Sequence, residues 1–174
     1  ENNFLVISID PYKYYASKAD SDYLFSKKEN SKVRSTDVVK MSENINKIYM
    51  YFVNNISIKK WNSKHIHLRM DSKEAFNILK NFGIKMDFCY IDGSHYYDDY
   101  KFDLENYYKI LKFKDGYCGK ICGDDFELSY NELLKSIQKK ELDKILSKNK
   151  KTDYLILGKF KFHPGITLAM NETK

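Results

Sequence analysis

Short β-rich runs alternate with amphipathic helical runs along this chain, and this alternation restricts the possible folds more than any other feature. Apolar residues recur about every two residues in the β-rich runs and about every 3.6 residues in the helical runs. Strands connected through helices favour a parallel sheet with helices on both faces. We therefore predict an α/β fold with a Rossmann-like, mostly parallel sheet. The predicted strands are 4–9, 65–69, 86–91 and 117–122, and the predicted helices are 35–52, 72–82, 97–111 and 128–147. The segment 12–35 is predicted to be a loop or a short-helix excursion. Helix 72–82 is predicted to bury Ala75, Phe76, Leu79 and Phe82 and to stop at Gly83.

The carboxyl-terminal part departs from this alternation. Two apolar runs, 153–162 and 166–170, flank the turn signal His163-Pro164-Gly165. They predict an antiparallel hairpin at the edge of the sheet. The length of 174 residues suits a single domain over 1–174.

Charge and composition exclude several classes of partner. The net charge is +6, but almost all cations are lysine, and Arg34 and Arg69 are the only arginines. Because nucleic-acid readers depend on arginine for bidentate contacts, no nucleic-acid partner is expected. The apolar runs are too short to cross a bilayer, so no membrane span is expected. A homo-oligomer is left open.

The three cysteines indicate a reducing compartment, since one would remain unpaired in any disulfide scheme. This predicts a cytoplasmic protein. Cys118 and Cys122 are interpreted as buried strand residues rather than as a redox pair.

Acidic residues stand where two predicted strands end. Asp92 follows one strand directly, and Asp124 and Asp125 follow another. If these strands are neighbours, three carboxylates converge at the end of the sheet where ligands bind in open α/β folds. Carboxylates about 4 Å apart repel by roughly 4 kcal/mol at an effective dielectric near 20, so a cation is favoured, and oxygen ligands prefer Mg²⁺, Mn²⁺ or Ca²⁺ to zinc. The alternative is that one Asp caps a helix and another faces water.

Four histidines are candidates for catalysis or metal binding. His95 lies three residues after Asp92 and suits a general base, because an ordinary histidine pKa is near 6.5. The alternative is a histidine bonded to backbone at a helix N-terminus. A structural role is favoured for His65, His67 and His163.

Two further acidic positions suggest cofactor contacts. Asp10, at the end of the first strand, suits hydrogen bonds from ribose hydroxyls, and Asp71 with Ser72 suits an adenine edge. Turn formation before Pro11 would equally explain Asp10. Helix capping would equally explain Asp71-Ser72.

Three segments together resemble class I S-adenosylmethionine-dependent methyltransferases, most closely the small metal-dependent O-methyltransferases that modify sugars. The resemblance is strong over 86–126, moderate over 4–11 and 153–170, and slight elsewhere. The segments that carry it are Met86-Asp-Phe-Cys-Tyr-Ile-Asp-Gly-Ser-His-Tyr-Tyr-Asp-Asp, Asp103-Leu-Glu-Asn-Tyr-Tyr-Lys-Ile-Leu and Gly119-Lys-Ile-Cys-Gly-Asp-Asp-Phe.

The resemblance implies methyl transfer from S-adenosylmethionine to a hydroxyl of a saccharide or other small polar acceptor. It implies that Asp92, Asp124 and Asp125 bind a divalent metal, Mg²⁺ or Mn²⁺, and that His95 is the catalytic base. Asp92 is also predicted to take part in catalysis and in cofactor binding. The remaining implied cofactor-binding residues are Asp10, Asp71 and Ser72.

One departure from the family concerns the glycine-rich loop after its first strand. This chain has no glycine before Gly83, and its first strand resembles the family's second. Two interpretations follow: a truncated protein, for which about 30–60 upstream residues are expected, or a degenerate relative. A metal-dependent hydroxylase or hydrolase is a rival activity. The non-enzymatic alternative is an inactive methyltransferase-like binding or assembly module.

Overall fold

A computed structural model describes residues 4–12, 35–61 and 63–173. Side chains are not described at 35–44, and the segment 12–35, predicted to be a loop or a short-helix excursion, falls almost entirely outside the described residues. The described ranges contain eight strands and six helices, which confirms the α/β class. The chain forms two compact units, Glu1–Ala75 and Phe76–Lys174.

The first unit contains a parallel strand pair joined through a helix. Strand β1 (Val6–Ile9) pairs with β2 (His65–Leu68), and helix α1 (Ser35–Ile58) lies between them in sequence. Ser8 Oγ is 2.8 Å from His67 Nδ1 across the pair. Burial lowers the pKa of His67. The aromatic rings that contact one another here are those of Tyr12, Tyr49, Phe52, His65 and His67.

Helix α2 (Ser72–Asn81) contains the boundary between the units and follows the predicted amphipathic pattern. Phe76 and Leu79 are buried as predicted, whereas Phe82 is 78% exposed. The prediction for Phe82 was wrong because the helix ends before it. Gly83 adopts a φ of +65°, and its N–H donates to the Lys80 carbonyl, which confirms Gly83 as the helix stop.

The second unit contains a parallel pair of strands, and a helix lies between these two strands in sequence. Strand β3 (Phe88–Ile91) is followed by α3 (Tyr97–Lys109) and then pairs in parallel with β6 (Lys120–Gly123). Ile91 lies opposite Gly123, so the two strands end at the same level. This confirms that the strands before the predicted acidic residues are neighbours.

The predicted strand 117–122 is divided in two. Strand β5 (Tyr117–Cys118) pairs antiparallel with β4 (Phe113–Lys114), and β6 starts two residues later. Gly119 separates them, and a Cβ there would lie 2.8 Å from the Met86 carbonyl oxygen. The pairing of β5 with β4 therefore ends at this close approach of two backbones, and the pairing of β6 with β3 begins just after it.

The β3–β6 pair has one face toward the core and one exposed face. Cys89 and Ile121 pack against the buried cluster of this unit, while Tyr90 and Cys122 are exposed. Cys118 is exposed as well, so the prediction that Cys118 and Cys122 are buried was wrong. Successive strand side chains point to opposite faces, and Cys122 falls on the face that the core does not cover.

The helix predicted over 128–147 is two helices, α4 (Tyr130–Leu134) and α5 (Lys139–Lys148). The Ser129 side chain accepts from the Glu132 N–H, and the Glu132 side chain accepts from the Ser129 N–H, which fixes the start of α4. Extended backbone at Gln138 interrupts the helical path. Both helices still bury leucines completely: Leu133, Leu142 and Leu146.

The carboxyl-terminal hairpin lies earlier in the chain than predicted. Strand β7 (Leu155–Leu157) pairs antiparallel with β8 (Phe160–Phe162) around Gly158, whose φ is +59°. The following segment is helix α6 (Pro164–Glu172), so the predicted strand 166–170 was wrong. Proline suits the first turn of a helix, and a short apolar run fits a buried helix as well as a strand.

Helix α6 packs against α3 in the core of the second unit. Gly165 permits this packing, because a Cβ there would lie 2.3 Å from the His95 carbonyl oxygen and 2.6 Å from the Tyr97 amide nitrogen. The α6 helix N-terminus is thereby held against the segment that carries His95. None of the described helices is both long enough and apolar enough to cross a bilayer.

Candidate functional site

Asp92 and Asp124 directly follow the last residues of two neighbouring parallel strands, β3 and β6. The Asp124 N–H donates to the Ile91 carbonyl at 3.1 Å, which extends the pairing by one residue. Tyr90 donates its hydroxyl to Asp124 Oδ2 at 3.0 Å, and this hydrogen bond raises the pKa of Tyr90. Both aspartates are exposed, so their carboxylates are accessible to a ligand.

Asp125 turns away from Asp124 and toward His95. Its φ of +59° places it in the left-handed region, where Asp is better tolerated than most residues. Its Oδ2 lies 3.0 Å from His95 Nε2. The Asp125 N–H donates to Asp124 Oδ1 at 3.0 Å, which stabilises the turn.

His95 lies between two carboxylates. Nδ1 is 2.5 Å from Asp153 Oδ1, and Nε2 is 3.0 Å from Asp125 Oδ2. A neutral imidazole donates from one nitrogen only, whereas the imidazolium donates from both. Both ring nitrogens of His95 face a carboxylate oxygen.

His163 lies next to His95 and is one of the few buried polar residues of this unit. Its ring centroid is 4.3 Å from that of His95 and 5.0 Å from that of Tyr154. The backbone N–H of His163 donates to Glu127 Oε2 at 3.2 Å. Nδ1 lies 2.8 Å from Glu127 Oε1 but in an orientation that makes no hydrogen bond, and no other described residue is its partner.

Two groups of side chains in the described residues bring three potential metal ligands within 4.8 Å of one another. One consists of His95, Asp153 and His163, and the other of Asp125, Glu127 and His163. Asp125 is thus the one member of the predicted metal set that belongs to such a group. Asp92 and Asp124 lie at the strand ends outside both groups.

The predicted cofactor residues of the first unit make local hydrogen bonds. Asp10 Oδ1 accepts from the Tyr12 N–H at 2.6 Å, as a turn-forming aspartate does. Asp71 Oδ1 accepts from the Glu74 N–H at 2.9 Å, as an N-cap does, and Ser72 is the first residue of α2. Capping and turn formation were the alternatives that the sequence left open for these positions.

Sequence reasoning missed the involvement of Glu127, Asp153 and His163. Glu127 is two residues after the Asp124-Asp125 pair, and that proximity was an available signal. His163 was assigned to a turn between strands, which hid its position before α6. Asp153 carries no local signal, because its contact with His95 spans 58 positions.

Comparison with known proteins identifies no relative from which a function could be inferred. The sequence matches no protein-family model, no curated protein and no solved structure. The residues and their geometry are therefore the basis for any functional proposal.

Proposed function

We propose that this chain transfers a methyl group from S-adenosylmethionine to a hydroxyl of a saccharide or other small polar acceptor. The observation that supports the proposal is the register of β3 and β6, because Ile91 pairs with Gly123 and the next residues of the two strands are Asp92 and Asp124. Ligands of open parallel sheets bind beyond this end. The resemblance over 86–126 supplies the reaction type.

A Rossmann-like fold is part of the same proposal. Each parallel pair, β1–β2 and β3–β6, is connected through a helix, as in βαβ units. This supports the proposed fold for each unit separately.

His95 is the proposed base. Asp153 orients the ring through Nδ1, so that Nε2 faces Asp125 and the region where the acceptor would bind. His95 takes the hydroxyl proton of the acceptor, and the carboxylates of Asp125 and Asp153 stabilise the resulting imidazolium. S-adenosylmethionine, when bound, supplies an electrophilic methyl carbon and leaves as the neutral thioether. Asp92 and Asp124 remain proposed contacts to the metal, and Asp92 is also a proposed contact to the cofactor.

The test is release of S-adenosylhomocysteine by the full chain with a panel of saccharide acceptors. We expect His95→Ala to lower turnover by about 10²–10⁴-fold, the usual contribution of a general base. Asp98→Asn, at an exposed residue in the first turn of α3, is the control and should retain turnover. Failure of the chain to bind S-adenosylmethionine would contradict the proposal.

Cofactor binding is tested separately by calorimetry. Asp10→Ala should weaken binding of S-adenosylmethionine by on the order of 1.5–3 kcal/mol if its carboxylate accepts ribose hydroxyls. Unchanged affinity would leave Asp10 as the turn residue that its hydrogen bond to Tyr12 describes.

A binding or assembly module is the second candidate, and one observation favours it. Both nitrogens of His95 contact carboxylates, so the ring also links the segments that carry His95, Asp125 and Asp153. In that case His95→Ala lowers stability, and no methyl transfer is detected with any variant.

A further inference from the structure

A buried histidine with an unmatched nitrogen lies among carboxylates in the second unit. His163 is 7% exposed, and Nδ1 has no hydrogen-bond partner among the described residues. Buried polar atoms are nearly always satisfied, and an exception in a native protein calls for an ion, a water or a functional role. Leaving such a nitrogen unmatched destabilises the folded state.

The surroundings of this nitrogen favour an ion. Asp125, Glu127 and His163 each offer one ligand atom, and the three atoms lie within 4.8 Å of one another. Nδ1 is 2.8 Å from Glu127 Oε1, a distance at which a hydrogen bond would form if the orientation allowed it. A lone pair and an anionic oxygen in this arrangement repel unless a cation or proton lies between them.

We propose that Asp125, Glu127 and His163 bind a divalent transition-metal ion of the Mn²⁺ or Zn²⁺ type. A neutral imidazole and two carboxylates together suit these ions, whereas Mg²⁺ and Ca²⁺ prefer oxygen ligands alone. This site differs from the predicted set at the strand ends in two of three ligands and in its metal preference. It does not depend on the proposed methyl transfer.

Neighbouring groups hold the ligands in place. The backbone N–H of His163 donates to Glu127 Oε2, and Glu127 Oε1 lies 2.8 Å from the ring nitrogen Nδ1. His95 Nε2 lies 3.0 Å from Asp125 Oδ2 and orients that carboxylate. Such outer contacts fix ligand geometry in metal sites.

The alternative group, His95 with Asp153 and His163, is less suited to the ion. Nδ1 of His95 is already hydrogen-bonded to Asp153 Oδ1 at 2.5 Å, and a metal would have to break that contact. The group around Glu127 requires no such loss, because its ring nitrogen is unmatched.

Calorimetric titration of the full chain with Mn²⁺, Zn²⁺ and Mg²⁺ tests the site. Mn²⁺ is the main probe, because the exposed Cys118 and Cys122 would bind Zn²⁺ but have little preference for Mn²⁺. We expect the Asp124→Asn chain, which lacks a strand-end metal contact, to bind one equivalent of Mn²⁺ and to bind Mg²⁺ more weakly. A lack of Mn²⁺ binding, or tighter binding of Mg²⁺, would overturn the proposal.

Matched variants identify the ligands. Glu127→Gln keeps the shape and loses the charge, and it should weaken Mn²⁺ binding by at least about 10-fold, since even outer-contact losses cost about 10–100-fold. His163→Gln should do the same, with circular dichroism to show that it folds. Asp98→Asn is the control and should retain all Mn²⁺ binding. Asp124→Asn removes a strand-end metal contact and should leave the Mn²⁺ site of Glu127 and His163 intact. If Asp124→Asn abolishes binding while Glu127→Gln does not, the ion belongs to the strand ends and the proposal is wrong.

A third variant separates the two groups that share His163. Asp153→Asn should retain Mn²⁺ affinity, because Asp153 is not a proposed ligand. If Asp153→Asn loses binding and Glu127→Gln retains it, the ligand assignment is overturned. Glu127→Gln remains decisive if His163→Gln fails to fold, because Glu127 is about one-third exposed.

Discussion

Nδ1 of His95 and Oδ1 of Asp153 lie 2.5 Å apart, although 58 positions separate the two residues in sequence. The contact joins the segment after β3 to the segment before β7. It sets the orientation of the His95 ring, because the second nitrogen then faces Asp125. The same pair is open to test by substitution.

Asp153→Asn should affect activity more than stability. Asp153 is half exposed, and exposed ion pairs contribute about 0–1 kcal/mol, so urea unfolding should show a loss within that range. In the proposed reaction, kcat should fall, but by less than the loss caused by His95→Ala, because the base itself remains. A kcat equal to that of the unsubstituted chain would show that Asp153 does not position His95.

Gly165→Ala should destabilise the second unit. The new Cβ would lie 2.3 Å from the His95 carbonyl oxygen and 2.6 Å from the Tyr97 amide nitrogen, so α3 or α6 must shift. Overpacking of this kind costs about 1–3 kcal/mol in the free energy of unfolding. The control is Gly93→Ala, whose Cβ would meet Asp103 Oδ2 at an ordinary 3.6 Å. Urea unfolding curves of equal midpoint for the two variants would contradict this account of helix packing.

Thiol labelling should distinguish Cys89 from the other two cysteines. Burial raises the pKa of the Cys89 thiol to about 12, so it stays protonated and unreactive at about pH 8. Cys118 and Cys122 are exposed. A thiol reagent should label two groups quickly in the folded protein and a third only after denaturation. Rapid labelling of all three without denaturant would place Cys89 outside the core.

The network of Glu172, Lys101 and Tyr97 should make stability fall in acid. Glu172 accepts hydrogen bonds from the Lys101 ammonium at 2.8 Å and from the Tyr97 hydroxyl. The Lys101 hydrogen bond, followed by that of Tyr97, lowers the pKa of Glu172 below its usual 4.5. The folded state therefore holds the proton less tightly than the unfolded state. The stabilisation is complete above the unfolded pKa and is lost as pH falls through the folded one.

Glu172→Gln tests this dependence. The variant should be less stable than the unsubstituted chain at neutral pH, and the difference should shrink below about pH 4. Urea unfolding at several pH values measures it, and Lys101→Met should reduce the same pH dependence from the other side of the contact. A difference between Glu172→Gln and the unsubstituted chain that stays constant with pH would show that the charge contributes nothing.

The sequence by itself determined the elements whose signals are local. The strand before Asp92, the helix beginning at Tyr97 and the helix stop at Gly83 were predicted from periodicity and from glycine conformation. These predictions succeeded because the apolar period and the backbone preferences act over neighbouring residues. The adjacency of β3 and β6 was also predicted in conditional form, from the similar strand ends.

Only the tertiary structure decided which apolar runs became helices, which faces were buried and which distant side chains met. The run after His163 fits a strand or a buried helix equally well, and packing of Gly165 against the His95 segment selects the helix. Cys122 is exposed because the core covers one face of β6 alone. The meeting of Glu127, Asp153 and His163 near His95 depends on loop closures that no local pattern specifies, so the sequence could not predict it.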